Sequence, residues 1–146
     1  MSDRRKAKRN RLLVFASYGM EMVECGGTLM KHVEDGWKVH VAVVLCRKEN
    51  RHDVEDAANF MGVTVEFIDY EMGDIGIGKR DRSPMIKVIR KFKPGSVIFY
   101  DPEHSMSDLD PERRVLSVLF LESLSYCGRN IYPELGRPHS VESVYY

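Results

Sequence analysis

The stretch RLLVFASYGMEMVECGGTL, residues 11–29, decides the fold that this sequence predicts. Residues 12–16 form a continuous apolar run, which is typical of a strand buried on both faces of a parallel sheet. After it, the apolar spacing predicts a helix over residues 23–35, which Gly36 is well suited to end. A buried strand followed at once by a helix is the first half of a β-α-β unit.

The rest of the chain repeats this alternation of strand and helix. Apolar and β-branched runs predict further strands at residues 37–45, 63–68, 96–100 and 141–146. Such alternation favours right-handed crossovers, so we predict an α/β fold: a three-layer Rossmann-like domain with a mostly parallel five-stranded sheet. Ligands of such sheets bind beyond the carboxyl ends of the strands, where the strand order switches.

Local signals mark where the later helices begin and end. Asn50 is expected to cap a helix that ends at Gly62, and Pro84 is expected at the first position of the next helix. The last helix is expected to follow Asp110 as its N-terminal cap and to stop at Gly128.

Composition excludes several classes of protein. The 146 residues are 43% hydrophobic and 30% charged, with 22 Lys+Arg against 22 Asp+Glu, so no net charge attracts nucleic acid or acidic membranes. No stretch reaches the roughly 18 apolar residues of a membrane span. We expect residues 1–10 to form a basic flexible arm, either solvated or docked on a polyanion, and residues 11–146 to form one α/β domain.

The cysteines indicate the redox environment. Cys25, Cys46 and Cys127 are isolated and odd in number, and none belongs to a CxxC motif. This pattern argues against a disulfide framework and a structural zinc site, and it favours a reducing, cytoplasmic location.

Several segments resemble one known family in the same order along the chain. They include Cys25-Gly26-Gly27-Thr28-Leu29, Phe67-Ile68-Asp69-Tyr70 and Asp101-Pro102-Glu103. Over residues 11–146 the chain resembles the LmbE-like, or PIG-L, metal-dependent N-deacetylases. The resemblance implies a zinc ion held by His and Asp residues of two motifs. It also implies an Asp base that activates a metal-bound water to attack an acetamide, commonly on an N-acetylglucosamine-type sugar.

The chain departs from this family where the metal chemistry resides. Aligned through Cys-Gly-Gly, Ser17 replaces a ligand His, Gly19 replaces the base Asp, and Met20 replaces a ligand Asp. In the second motif, Asp110 replaces the first His and Arg113 replaces the metal-binding His. The metal motifs are therefore degenerate, and we expect no cofactor.

Two functions follow from this contrast. The first is a binding or assembly module without deacetylase activity, which pairs with itself or an active homologue, or binds a small-molecule or sugar-like ligand. Tyr18, Glu21, Asp101 and His104 are its candidate ligand-binding residues. The alternative is an active N-deacetylase whose zinc is held by relocated ligands: Glu21, Asp101, His104 and Asp108. Neither a membrane nor a nucleic acid is expected as a partner.

Overall fold

The apolar run after Asn10 forms the central strand of a five-stranded sheet in the computed structural model, which describes residues 10–146. The strands are β1 (Arg11–Ala16), β2 (Lys38–Val43), β3 (Thr64–Phe67), β4 (Ser96–Ile98) and β5 (Ser143–Tyr145). Their order is β3-β2-β1-β4-β5, and every neighbouring pair is parallel. The predicted α/β fold is thereby confirmed. Residues 1–9, most of the expected basic arm, lie outside the described part of the chain.

Helices connect the strands and lie on both faces of the sheet. They are α1 (Met20–Glu24), α2 (Gly26–Glu34), α3 (Arg51–Met61), α4 (Lys79–Phe92), α5 (Pro102–Ser105) and α6 (Pro111–Cys127). Two short 3-10 turns occupy Lys48–Asn50 and Pro133–Leu135. Between residues 10 and 146, no helix combines the length and the apolar character needed to cross a membrane.

The alternating side chains of β1 build two cores. Leu13 and Phe15 face α4 and α6, where Phe15 stacks on Phe120 with 4.8 Å between ring centres. Leu12 and Val14 face the opposite layer, made by α1, α2 and α3. Each of these side chains is at most 1% exposed, so β1 is buried on both faces as its sequence predicts.

The helix expected over residues 23–35 begins earlier and is interrupted, which corrects that prediction. Gly19, with φ of +109°, lets the chain turn directly into α1 at Met20. Cys25 then leaves the helical region, with φ of −98° and ψ of 13°, and separates α1 from α2. Its amide donates to the carbonyl of Glu21 and its carbonyl accepts from Leu29, so both helix ends remain hydrogen-bonded.

One of the five helix signals was misread. Pro84 lies inside α4 rather than at its first position, because the amides of Asp81 and Arg82 already close a turn onto the carbonyl of Gly78. Asn50 does occupy the N-terminal cap position of α3, although its side chain makes no capping bond. The remaining signals are confirmed: α3 is followed by Gly62 in the left-handed region, and α6 lies between its caps Asp110 and Gly128.

Arg90, in α4, forms hydrogen bonds with the end of α6 and the segment that follows it. Its side chain is 2% exposed, and its guanidinium donates to five backbone carbonyls at 2.8–3.1 Å, those of Cys127, Arg129, Ile131, Tyr132 and Gly136. The last carbonyls of a helix lack partners within it, and a cation there also interacts favourably with the helix dipole. Arg90 therefore holds the segment that leads from α6 towards β5.

Replacing Arg90 with Met should lower the free energy of unfolding by about 3 kcal/mol, because several buried carbonyls lose their donors. Urea denaturation at pH 7 measures this change. Arg129→Met is the matched control, since Arg129 is exposed, bonds the hydroxyl of Ser125 and stacks on Tyr126. The control should change stability by no more than about 0.5 kcal/mol. If both variants lost the same amount of unfolding free energy, the hydrogen bonds of Arg90 would not be what holds this segment.

Candidate functional site

The strand order switches between β1 and β4. From β1 the chain builds outward through β2 and β3, whereas β4 and β5 lie on the other side of β1. The crevice beyond the carboxyl ends of β1 and β4 is therefore the expected place for a ligand. Ser17, Gly19 and Glu21 follow β1 at this crevice, and Tyr100 and Asp101 follow β4.

The carboxylate of Glu21 is the centre of the site. Its Oε1 accepts hydrogen bonds from the hydroxyl of Ser17 and from the hydroxyl of Tyr100, the latter at 2.5 Å. Its Oε2 accepts from the amide of Gly19 at 3.1 Å. Glu21 is only 8% exposed, and these donors offset much of the cost of burying its charge.

Arg113 supplies the positive charge nearest to this carboxylate. Its Nη2 lies 3.9 Å from Oε1 of Glu21, and its Nη1 lies 3.5 Å from Oδ2 of Asp108. The guanidinium carbon is 5.9 Å from the ring centre of Tyr100. Asp108 is itself oriented because its Oδ1 accepts from the amide of Asp110 at 2.9 Å. The site thus contains two ion pairs in a row, from Glu21 through Arg113 to Asp108.

The surroundings set the charge of each group. Burial alone would raise the pKa of Glu21, but the hydrogen bonds from Ser17 and Tyr100 outweigh it and lower that pKa. Burial and the charge of Glu21 raise the pKa of the Tyr100 phenol far above its usual value. At neutral pH the network therefore holds an ionised carboxylate and a neutral phenol.

Tyr18 and Asp110 form a second contact beside this network. The hydroxyl of Tyr18 donates to Oδ2 of Asp110 at 2.8 Å, while Oδ1 accepts from the amide of Glu112 and caps α6. Burial and the bond to Asp110 raise the pKa of Tyr18 to about 12. Asp110 is therefore occupied in holding the start of α6.

The side chains at the degenerate positions do not fit a zinc ion. Met20 points outward with 61% of its surface exposed, and Arg113 has no lone pair to offer a cation. At Gly19 a Cβ atom would lie 2.9 Å from Cγ2 of Val54, and φ of +109° disfavours any other residue. Within residues 10–146, no three His, Cys, Asp or Glu side chains are grouped so as to hold a metal.

The remaining candidate residues are dispersed around the crevice. Asp101 caps α5, with its Oδ1 accepting from the amide of Glu103 at 2.9 Å, and His104 lies exposed on the same short helix. Glu21 and Asp101 line one cavity of about 260 Å³ between the ends of β1 and β4. Tyr18 lines a different cavity of about 330 Å³, and His104 lines neither of the two.

Sequence reasoning missed the part that Tyr100 and Ser17 play. Ser17 precedes Glu21 by four residues and could have suggested a local bond. Tyr100 lies 79 residues from Glu21, and only its position at the end of a predicted strand pointed to this crevice.

Three solved structures share this fold. A conserved protein, TT1542, from Thermus thermophilus is 20% identical over 94% of this chain, with a TM-score of 0.80. GalB, the 4-carboxy-2-hydroxymuconate hydratase from Pseudomonas putida, is 20% identical over 92%, with a TM-score of 0.77. N,N'-diacetylchitobiose deacetylase from Pyrococcus horikoshii, solved with its inhibitor MPG, is 19% identical over 92%, with a TM-score of 0.80.

These similarities concern the fold alone. The chain spans 66%, 63% and 59% of the lengths of the three proteins, in the same order. No protein-family model and no curated protein matches the sequence. The fold that the sequence resemblance implied is therefore shared with a deacetylase. The comparisons do not show which activity, if any, this chain has.

Gly19→Ala should lower the free energy of unfolding by about 2 kcal/mol, because the added Cβ meets Val54 and the left-handed backbone is strained. Gly27→Ala is the matched control, since a Cβ there meets nothing within 4 Å. In α2 that change should be neutral or stabilising by up to about 1 kcal/mol. Chemical denaturation measures the free energy of unfolding of both variants. If Gly19→Ala were as stable as the wild type, the backbone at Gly19 would not be strained by a side chain.

Glu21→Gln should destabilise the protein by about 2 kcal/mol at pH 7, because Arg113 loses its buried partner. The pKa of Glu21 in the folded state lies below its ordinary value of 4.5. Its ionised form therefore stabilises the fold above that pH, and this contribution is lost as the pH falls through the folded-state pKa. Urea denaturation at several pH values below 7 measures the free energy of unfolding of wild type and variant. The difference between these two free energies should become smaller as the pH falls.

The control for this experiment is Glu55→Gln, on the exposed face of α3. It should leave the acid dependence of unfolding unchanged. A stability difference between wild type and Glu21→Gln that is the same at every pH would contradict the lowered pKa.

Proposed function

We propose that this chain is a LmbE/PIG-L-type protein that has lost metal-dependent N-deacetylase activity and acts as a binding or assembly module. The observation that carries the proposal is the contact between the Glu21 carboxylate and the Arg113 guanidinium. By the sequence resemblance, Arg113 stands at the position of a metal-binding His. A permanent positive charge there opposes a second cation at the same place.

Hydrolysis also needs a base, and the network supplies none. Both oxygens of Glu21 already accept hydrogen bonds, from Ser17 and Tyr100 on one side and from Gly19 on the other. A lowered pKa makes this carboxylate a weaker base than usual.

The shared fold does not decide between reactions. One of the similar structures is described as a deacetylase and another as a hydratase, so the same scaffold carries different chemistry. A scaffold of this kind that keeps its crevice but lacks catalytic groups is suited to binding. The cavity between β1 and β4 has aromatic and acidic walls, which suit a small organic or sugar-like molecule.

Assembly with a second copy or with an active homologue is the other part of this proposal. It draws support from two exposed apolar side chains that are neighbours in sequence of site residues. Met20, directly before Glu21, is 61% exposed, and Leu109, directly after Asp108, is 95% exposed. A partner that covers these side chains would remove apolar surface from water.

Purified protein that has never met a chelator should contain far less than one zinc per chain by elemental mass spectrometry. It should release no acetate from N,N'-diacetylchitobiose, with or without added zinc. The Pyrococcus horikoshii deacetylase, assayed in parallel, is the positive control for the substrate and the detection.

Zinc at one equivalent together with zinc-dependent acetate release would overturn the proposal and favour the relocated site. In that case His104→Ala should abolish both zinc content and acetate release. The same substitution at His52, an exposed residue of α3, should change neither.

A further inference from the structure

One face of β4 lies partly open. On this side of the sheet α1, α2 and α3 pack over β1 and β2, and Ile98 of β4 remains only partly buried. Two cavities, of about 260 and 480 Å³, meet over this face, because Cys25, Ile98 and Tyr146 line both of them. We call the depression that they form the β4 groove. A parallel sheet is ordinarily buried on both faces, so a strand face left open here is available to a ligand.

The larger cavity of the β4 groove is mainly apolar and aromatic. Its lining includes Leu12 and Ile98 from the central strands, and Trp37 and Tyr145 from either side of them. The ring of His32 packs edge-on against Trp37, with 4.7 Å between ring centres, and so holds this wall in place. A cavity of about 480 Å³ has the size that small organic ligands occupy. An apolar or aromatic body therefore fits this part of the groove.

The smaller cavity carries charge of one sign. Glu21, Glu24 and Asp101 line it, and among the described residues no Lys or Arg lines either cavity. Tyr100 and Tyr146 add aromatic rings to its walls, and the face of such a ring attracts cations. A concave surface with charge of one sign concentrates ligands of the opposite charge. This end of the groove therefore favours a cationic group and repels a carboxylate or a phosphate.

Two of the three carboxylates are open to a ligand. Glu21 is engaged by its hydroxyl and amide donors and by Arg113. The exposed carboxylate of Glu24 has neither a hydrogen bond nor an ion pair within residues 10–146. Asp101 is exposed too, and its Oδ1 accepts from the amide of Glu103, while no basic side chain of the described part of the chain pairs with it. An ammonium group has three donors, so it can bond both open carboxylates.

The separation between the charged and the apolar parts defines the shape of the ligand. Asp101 lies three residues beyond Ile98, which is about 10 Å along an extended chain. A short alkyl chain between an ammonium group and an aromatic ring spans such a distance. A small amphiphilic molecule can therefore place its charge at one end of the groove and its apolar body at the other.

We propose that the β4 groove binds a small organic cation, an amine that carries an apolar or aromatic body. Its ammonium group bonds Glu24 and Asp101, and its body covers Ile98 between Trp37 and Tyr145. The charge complementarity gives specificity, and the burial of the body supplies most of the affinity. This inference rests on the binding role proposed above and names the class of ligand.

Titration of the full chain with 4-phenylbutylamine tests this inference, because this probe joins an ammonium group to a phenyl ring through a short alkyl chain. Trp37, the single tryptophan, lines the groove, so its fluorescence should change until the probe saturates the site. 4-Phenyl-1-butanol has the same apolar body without the charge, and it should bind at least about fivefold more weakly. 4-Phenylbutyrate, which is negatively charged, should bind more weakly still.

The double variant Glu24→Gln with Asp101→Asn tests where the ammonium group lies. It should lower the affinity for the amine at least about fivefold, because both open carboxylates lose their charge. It should leave the affinity for the alcohol unchanged. An amide side chain at position 101 can still cap α5, so the local fold is preserved.

Glu55→Gln, on the exposed face of α3, is the matched control and should leave all three affinities unchanged. Equal affinities of the wild type for the amine and the alcohol would overturn this inference and leave the proposed binding role in place. An amine that does not bind to saturation, or that the double variant binds as tightly as the wild type, would overturn it too. Zinc content and acetate release test the loss of deacetylase activity separately, because neither depends on the charge of a ligand in the groove.

Discussion

The burial of one carboxylate organises the functional end of this molecule. Glu21 is 8% exposed, and an ionised group so far from water requires several donors around it. Its partners come from three separate parts of the chain: the donors Ser17 and Gly19 after β1, the donor Tyr100 after β4, and the charge of Arg113 in the first turn of α6. Satisfying Glu21 therefore fixes the positions of both crevice loops and of α6 relative to the sheet.

This constraint accounts for the residues at positions 17, 19 and 113 as one set. Ser17 offers a hydroxyl, Gly19 offers an amide that its left-handed backbone turns towards Glu21, and Arg113 offers a charge. A metal ion and a guanidinium are alternative ways to neutralise the same region, and Arg113 cannot become neutral by losing a proton. Because a Cβ at position 19 would meet Val54 and the backbone there is left-handed, this arrangement requires glycine at that position.

The sequence was a good guide where structure depends on local pattern. The apolar run of β1, the Asp110 cap and the Gly62 stop each depend on neighbouring residues, and each was predicted correctly. The break at Cys25 was missed although Gly26 and Gly27 directly follow it, because neither glycine adopts the left-handed backbone that commonly ends a helix and both lie within the second helix, α2. The contact between Glu21 and Tyr100 joins residues 79 apart, so no local pattern could reveal it.

Fold and chemistry place different demands on a sequence. The fold depends on the apolar faces of β1 and its helices and on backbone contacts such as those of Arg90, and many sequences satisfy such requirements. Identities of 19–20% accordingly accompany TM-scores of 0.77–0.80. A metal centre depends instead on three or four ligand atoms at fixed distances, a requirement that few residues meet and that the fold itself does not impose. A chain can therefore share the scaffold of these proteins while the crevice beyond β1 and β4 holds an ion pair between Glu21 and Arg113.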